Sequence, residues 1–378
     1  ALENVESIRS YLDMHRSTPL PADWTPVSIF CSLCHRDLTA FEEWDGGWNI
    51  EYSCEGCGNR ETIDLRKASG AKLLWRVDWP MRWAYEGVDF EPAGKEHHSA
   101  GGSFDTAKVI SKPVYGFDPP VTFKYDFISI KGMGGKISSS IGNVLSVADV
   151  LEIYQPELIR YLFAGTRPDS EFAISFDLDV IKIYEDYDRC ERVYFGSDEI
   201  GEKKRPKERR IYELSQVDGV PEKLPTQLPF RHLCNLLQIN DGDIEATLAV
   251  IAKTDGVDFS GNERDRAELR ARCAWNWITN HAPEDFRFSL RGLDDGLTSI
   301  SDDEKSLLAE LRSELERDFE GHTEESLGTF FYTLAEKFGL QAKDLYRMMY
   351  RVLLGKDRGP RLAGFILTAG SAKVLPIL

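Results

Sequence analysis

Four of the seven cysteines in this sequence have the spacing of a metal site. Cys31 and Cys34 stand in "CSLC", Cys54 and Cys57 stand in "CEGC", and 19 residues separate the two pairs. Two-residue spacing lets both sulfurs of a pair face one ion, and two pairs complete the tetrahedral shell of four thiolates that suits Zn²⁺. A closed shell leaves no position for water, so the pattern predicts a structural zinc module at about residues 28–62. Redox or disulfide pairs are the alternative.

A second segment has the composition of a phosphate-binding loop. Residues 134–144, "GGKISSSIGNV", place glycines and serines around Lys136. Backbone N–H groups in such a loop can turn toward phosphate oxygens, hydroxyls add donors, and a lysine adds positive charge where pyrophosphate develops negative charge. A helix should follow, because Ser146 and Asp149 have capping-box spacing, and the positive end of a helix favours phosphate. Taken alone, the composition favours a flexible linker.

A third segment concentrates aromatic and histidine side chains. Residues 73–108, "LLWRVDWPMRWAYEGVDFEPAGKEHHSAGGSFDTAK", contain three tryptophans, two histidines and a Gly-Gly-Ser turn. Aromatic faces can cover a desolvated cation, and histidine can contact a nucleotide or substrate. Ligands in parallel sheets lie at the carboxyl ends of strands, where this turn would fall. The alternative is ordinary core packing.

The elements that must position these segments divide into a mixed part and a helical part. Up to residue 130, short apolar runs alternate with turn clusters, which is typical of α/β structure. Residues 146–200 are predicted to be helical, and a proline-bearing connector at 220–230 leads into an all-helical region. In that region Ser301 and Glu304 form a capping-box pair, and further helices are expected around 264–280, 324–338 and 342–354. The predicted fold class is therefore α/β plus all-α.

Bulk composition narrows the class of protein. The chain has 378 residues, of which 42% are hydrophobic and 29% charged, which suits two or three globular domains. No apolar run is long enough for a membrane span, and the odd number of cysteines without a signal sequence predicts a reducing cytoplasm. A net charge of −17 argues against a protein coated in nucleic acid, yet residues 201–210, "GEKKRPKERR", form either a solvated loop or a phosphate-contacting segment.

The loop also resembles a known family. "KISSS", residues 136–140, resembles the KMSKS signature of class I aminoacyl-tRNA synthetases, and "KISSSIGNV" resembles the KMSSSKGN form of the class I lysyl-tRNA synthetases of archaea and bacteria. Ile137 replaces a methionine, and Ile141 replaces a second lysine, which removes a charge from the loop. The resemblance extends from residue 1 to the C-terminal "GPRLAGFILTAGSAKVLPIL".

This resemblance implies roles for particular residues. The loop would clamp the leaving pyrophosphate through Lys136, Ser138, Ser139 and Ser140. The turn within "AGKEHHSAGGS" is similar to the region that lies under the adenosine and the amino acid in this class, which implies ATP binding by Gly94, His97, Gly101 and Gly102. The pocket for the substrate lysine would be formed by Trp75, His97 and Tyr125, with Trp79 and Glu96 as weaker candidates.

The resemblance also implies an architecture and an activity. Residues 1–145 would be the C-terminal part of a Rossmann-type catalytic domain with the zinc insertion, residues 146–222 a helical region that contacts the acceptor stem, and residues 223–378 a helical anticodon-binding domain. The implied enzyme is a lysine–tRNA ligase that uses L-lysine, ATP with Mg²⁺, and tRNA(Lys). It would form lysyl adenylate and then acylate the tRNA.

One signature of the class is missing from this sequence. A class I synthetase also needs a His-Ile-Gly-His type motif, and none of the seven histidines forms one. The resemblance therefore implies that the first half of the nucleotide fold precedes Ala1 and that this chain is an inactive part of a longer enzyme. Two alternatives stay open: a class I synthetase for another amino acid, which "WRVDWPMRW" disfavours, and a non-catalytic tRNA-binding module.

Overall fold

The computed structural model describes residues 1–131, 145–292 and 300–378. Within these ranges the chain forms two compact units. Unit 1 contains residues 1–128 and 167–172, and unit 2 contains residues 129–166 and 173–378. None of the helices in the described ranges is long and apolar enough to cross a lipid bilayer.

Unit 1 contains three α-helices and seven short strands among its described residues. The helices are α1 (Val5–Asp13), α2 (Trp75–Glu86) and α3 (Ser103–Tyr115). Their shared core consists of Ile8 and Leu12 from α1, Val77 from α2 and Ile110 from α3. Ile8 and Leu12 are four residues apart and so lie on one face of α1, which is the face that packs into this core.

The cysteine pairs lie in a small antiparallel module of unit 1. Its strands are β1 (Val27–Ile29), β2 (Thr39–Trp44), β3 (Asn49–Cys54), β4 (Arg60–Asp64) and β5 (Ala71–Leu73). Strands β2, β3 and β4 form one sheet in that order, and β1 pairs with β5. Ile50, Tyr52 and Cys54 are buried at alternate positions of β3, as expected for a strand with one face in a core.

The histidine-containing turn follows a parallel strand of unit 1. Strand β6 (Ala93–Gly94) pairs in parallel with β7 (Lys124–Tyr125), so that Gly94 lies opposite Tyr125. Residues 95–102 then lead directly from the carboxyl end of β6 into α3. This is the strand-to-helix connection at which open parallel sheets bind ligands.

Unit 2 is mainly helical. The paired strands β8 (Ile128–Ile130) and β9 (Phe172–Ile174) each have their first residue in unit 1 and their other two residues in unit 2. The first half of unit 2 also contains the helices α4 (Val147–Leu151), α5 (Pro156–Gly165), α6 (Asp179–Phe195) and α7 (Arg205–Ser215). Ser146 and Asp149 form the predicted capping box at the start of α4, which confirms that prediction. The prediction of helix from residue 172 onward was wrong for β9, because pairing with β8 overrides the local pattern.

The remaining helices follow the predicted connector. They are α8 (Phe230–Ile239), α9 (Ile244–Asp255), α10 (Asn262–Asn280), α11 (Asp302–Asp318), α12 (Glu324–Lys337), α13 (Ala342–Leu354), α14 (Leu362–Ala369) and α15 (Ser371–Val374). Helices α10, α12 and α13 lie where the sequence predicts helices. Ser301 and Glu304 form the second predicted capping box, and the leucine face of α11 is buried.

Two buried ion pairs join α6 to α10 inside unit 2. Arg270 donates from both terminal nitrogens to Asp188, at 2.9 and 2.6 Å, and the two side chains are only 3% and 6% exposed. Arg266 donates to both carboxylate oxygens of the fully buried Glu191 at 2.9 Å. The bidentate Arg270–Asp188 pair restricts the relative position of the two helices. Glu191 also accepts hydrogen bonds from Tyr212 at 2.8 Å and from Gln227 at 2.9 Å, so its buried charge is well satisfied.

Candidate metal centre and active site

The four predicted metal ligands converge at one point of the antiparallel module. Cys31 lies two residues after β1, and Cys54 is the last residue of β3. All four sulfurs lie within 4.8 Å of one another, and the thiols are free. The two closest approaches are 3.7 Å between Cys31 and Cys57 and 3.6 Å between Cys34 and Cys54. These distances exceed the S–S bond length of about 2.05 Å, so the sulfurs are not paired as disulfides.

The sulfur spacing and its electrostatics are compatible with zinc. Tetrahedral thiolates bound at about 2.3 Å from an ion are about 3.8 Å apart, close to the shortest separations found here. Backbone N–H groups of Cys34 and Leu33 donate to Cys31 and lower the pKa of its thiol to about 6, in spite of burial. Asn59 adds an N–H 3.8 Å from the same sulfur. Thiolate, the form that binds metal, is therefore favoured at Cys31. At Cys57 the backbone N–H of Asn59 favours thiolate, but burial and contacts with the other three sulfurs outweigh it and raise the pKa to about 12.

The predicted lysine pocket contains a continuous group of rings. Helix α2 presents Trp75 and Trp79 four residues apart on one face, and their rings stack with centroids 4.9 Å apart. The edge of His97 meets Trp79 at 5.5 Å. Trp75 is 52% exposed whereas Trp79 is 7% exposed, so Trp79 is a buried support and Trp75 offers an open aromatic face.

Tyr125 and Gly94 lie beside this group on paired strands. Tyr125 is 45% exposed, and its carbonyl accepts a hydrogen bond from the N–H of Lys95 at 2.9 Å. Its ring makes no ring contact with Trp75 or His97 in the described part of the chain. The structure thus brings Trp75 and His97 together through Trp79, and it brings Tyr125 next to the start of the turn.

Glycines permit the tight turn between β6 and α3. Gly102 is buried at the N-terminal cap of α3, and a Cβ there would lie 2.5 to 2.9 Å from three backbone carbonyl oxygens, including that of His97. Gly101 has a φ of +70°, and a Cβ on it would meet His15. These two positions therefore require glycine for the loop to close on itself.

Sequence reasoning missed the side chain that holds this turn. Arg76 donates to the carbonyl of Gly101 at 2.7 Å and to the hydroxyl of Thr106 at 3.1 Å. Nothing in the local sequence distinguishes Arg76 from other exposed arginines, because its partners are 25 and 30 residues away. His98, by contrast, is held against Thr122 at 3.0 Å and stacks on Phe104, which is a structural role.

The predicted phosphate-binding loop lies outside the described residues, and with it Lys136, Ser138, Ser139 and Ser140. Lys131, the last described residue before it, makes ion pairs with Asp177, at 3.0 Å, and with Asp179. The Ser146 capping box begins α4 two residues after it. The backbone is thus fixed by unit 2 at both borders of the loop.

Comparison with known sequences identifies the class of protein. Residues 1–218, more than half of the chain, match the family model of tRNA synthetases class I (K). The chain belongs to this family of class I tRNA synthetases, whose fold combines helix and sheet. The family that the sequence resembles is thereby confirmed.

Alignments with curated relatives extend over almost the whole length of this chain. It is 47% identical to a lysine–tRNA ligase of Borrelia garinii over 98% of this chain and 70% of that protein, and 47% identical to that of Treponema pallidum over 99% and 70%. The corresponding enzyme of Pyrococcus horikoshii is 38% identical over 98% and 70%. A solved glutamate tRNA ligase from Elizabethkingia meningosepticum matches with a TM-score of 0.37 and 14% identity, over 84% of this chain and 63% of that one.

Proposed function

We propose that this chain acts in the ligation of lysine to tRNA. The observation that carries the proposal is 47% identity with lysine–tRNA ligases across 98% of the chain. In this reaction the carboxylate of lysine attacks the α-phosphate of Mg²⁺-bound ATP, and pyrophosphate leaves. A ribose hydroxyl of the tRNA then attacks the carbonyl carbon of the lysyl adenylate, and AMP leaves as the lysyl ester forms. Such chemistry depends on positioning and charge stabilisation. Lys136 and the serines at 138, 139 and 140 are proposed to neutralise the leaving pyrophosphate.

The aromatic group next to the turn is proposed to receive the lysine side chain. An ε-ammonium loses hydration when it is bound, and an aromatic face compensates electrostatically at about 0.5 to 2 kcal/mol. Trp75 offers that face, backed by Trp79, while His97 lies at the edge of the group. Glu96, whose carboxylate lies against Gly94, is the candidate for the counter-charge within this turn. Tyr125 would close the pocket from strand β7.

The turn itself is proposed to shape the ATP side of the pocket. Gly94 at the end of β6, and Gly101 and Gly102 before α3, have no side chains that would fill the ATP side. His97 supplies the aromatic ring of the turn between them. Gly102 is buried, so its contribution is the shape of the loop. Arg76 would fix that shape by holding the carbonyl of Gly101.

The cysteine quartet is proposed to hold a structural Zn²⁺. When bound, the ion would cross-link the two CxxC turns and leave no coordination position for a substrate. Cys31, Cys34, Cys54 and Cys57 are the four ligands. The core around them is small, built on Ile29, Ile50 and Tyr52, and a module of this size commonly needs a metal to stay folded.

The helical parts are proposed to contact the tRNA. We assign residues 146–222 to the acceptor-stem side and residues 223–378 to the anticodon side, with the boundary at the proline-bearing connector. The basic segment at 201–210 contributes most of α7, whose lysines and arginines are largely exposed. Exposed cations of this density favour contact with phosphates.

Amino-acid-dependent ATP–pyrophosphate exchange in the presence of tRNA tests the proposal. All amino acids are compared on this chain and on an extended form that carries any residues encoded ahead of Ala1. Exchange that depends on lysine supports the ligase. Exchange that depends on a different amino acid would show that this amino acid, and not lysine, is the substrate. tRNA binding without exchange in either form would favour a non-catalytic tRNA-binding module.

A further inference from the structure

A cavity of about 540 Å³ lies in unit 2 beside the proline-bearing connector. Its walls come from the start of α5, from α6, from residues 216–225 and from the first half of α10. The volume falls within the range of about 300 to 1,000 Å³ that is typical of sites for small ligands. None of its residues belongs to the proposed lysine or ATP site, so the function proposed above gives this cavity no role.

One buried polar atom in the lining has no partner among the described residues. The side-chain oxygen of Gln155 accepts no hydrogen bond from any of them, and Gln155 is only 3% exposed. A buried acceptor without a donor is costly, because it has lost its hydration and gained no bond in exchange. Because Gln155 lines the cavity, a molecule bound there can supply an N–H donor to this oxygen.

The charge around this oxygen is negative. Five carboxylates line the cavity, those of Glu157, Asp218, Glu222, Glu263 and Asp265. Glu263 accepts a hydrogen bond from the backbone N–H of Thr226 at 3.0 Å, whereas the other four side chains make no hydrogen bond or ion pair with any described residue. Arg266 is the one cation among the described lining residues, and its guanidinium is paired with Glu191, outside the lining. The cavity therefore presents uncompensated negative charge.

The rest of the wall is apolar, and this narrows the class of ligand. It is formed mainly by Val217, Val220, Pro221, Pro225 and Leu269. A metal ion binds oxygen atoms at about 2.0 to 2.6 Å and would leave this apolar wall without a contact. An amino acid would bring a carboxylate that the acidic lining repels. Ammonium groups joined by methylene chains match both the carboxylates and the apolar wall.

We propose that this cavity binds a linear aliphatic polyamine. One ammonium group donates to the side-chain oxygen of Gln155, other ammonium groups lie near Glu157 and Asp265, and the methylene segments pack against the valines and prolines of residues 217–225. A polyamine bound in this way would hold the connector against α5 and α10. The inference goes beyond the proposed function and does not depend on it, because it needs neither lysine activation nor tRNA.

Spermidine is the probe for this site. It is titrated calorimetrically into the full chain, without RNA, over a series of KCl concentrations. We expect one spermidine per chain and an affinity that falls as salt rises, because exposed charges are screened. Gln155→Met should weaken binding about tenfold, the contribution of one hydrogen bond to a charged group. Without spermidine this variant should melt no earlier than the unmodified chain, because the change removes an unpaired acceptor and breaks no bond.

A pair of carboxylate variants tests the charge. Glu157→Gln combined with Asp265→Asn should weaken spermidine binding about tenfold, at about threefold for each lost charge. The matched control is Asp303→Asn combined with Glu325→Gln, which removes two carboxylates from the first turns of α11 and α12, outside the cavity. This control should bind spermidine as the unmodified chain does.

The other outcomes would overturn the proposal. They are the absence of spermidine binding by the unmodified chain, unchanged affinity in Gln155→Met, and equal losses in the cavity pair and the control pair. Displacement of spermidine by equimolar MgCl₂ would assign the site to a metal ion, and displacement by equimolar L-lysine would assign it to an amino acid. Ligation of lysine to tRNA is measured in none of these experiments, so failure of the polyamine site leaves the proposed function standing.

Discussion

Replacing Cys34 by serine tests the zinc centre through its geometry. The sulfurs of the closest pairs are 3.6 and 3.7 Å apart. In a tetrahedron the edge is about 1.63 times the distance from centre to corner, so these edges correspond to ion–sulfur distances of about 2.2 to 2.3 Å, the range for zinc thiolates. Structural zinc sites bind with about 10 to 16 kcal/mol at neutral pH, and one ligand of four represents roughly a quarter of this.

The expected loss is therefore about 3 kcal/mol, or about a hundredfold in zinc affinity. Competition with a chelating dye measures the affinity, and X-ray absorption at the zinc edge measures the shell, which should contain four sulfurs at about 2.3 Å. C273S changes a buried thiol outside the quartet and should leave one zinc per chain. A shell containing nitrogen or oxygen ligands, or equal zinc affinity in C34S and the unmodified chain, would refute the assignment.

Three further predictions concern the fold and the turn between β6 and α3. Gly102→Ala should destabilise the chain by about 1 to 3 kcal/mol, because the new Cβ would meet the carbonyl of His97 at 2.5 Å. In the extended form that carries any residues encoded ahead of Ala1, the same change should raise the KM for ATP. Gly165→Ala, where nothing lies within 4 Å of the new Cβ, should leave both stability and KM unchanged, and equal melting of the two variants would contradict this. Arg270→Met should cost about 3 to 5 kcal/mol in denaturant unfolding, because Asp188 is left buried and unpaired. Adding Asp188→Leu to Arg270→Met should recover most of that loss, and a double variant no more stable than the single one would show that the pair is not coupled.

Local sequence patterns predicted the structural elements that are stabilised by residues close together in the chain. Both capping boxes, the leucine face of α11 and the convergence of the four cysteines were predictable, since each depends on residues a few positions apart or on one ligand geometry. Strand β9 was missed because three residues become a strand only by pairing with β8. The helical form of the basic segment from Arg205 was likewise not predicted, although Pro206 in its first turn is a known helix start.

Sequence by itself determined the family, the candidate metal-ligand set and the aromatic character of the candidate lysine pocket, because residue type and spacing are sufficient for these. Only the tertiary structure decided that the ring of Trp75 is exposed to solvent, whereas the ring of Trp79 is buried behind it. It also brought Arg76 to the turn and gathered Gln155, Glu157 and Asp265 around one cavity. These contacts join residues 25 to about 110 positions apart, and such distances are closed by the packing of helices rather than by any local pattern.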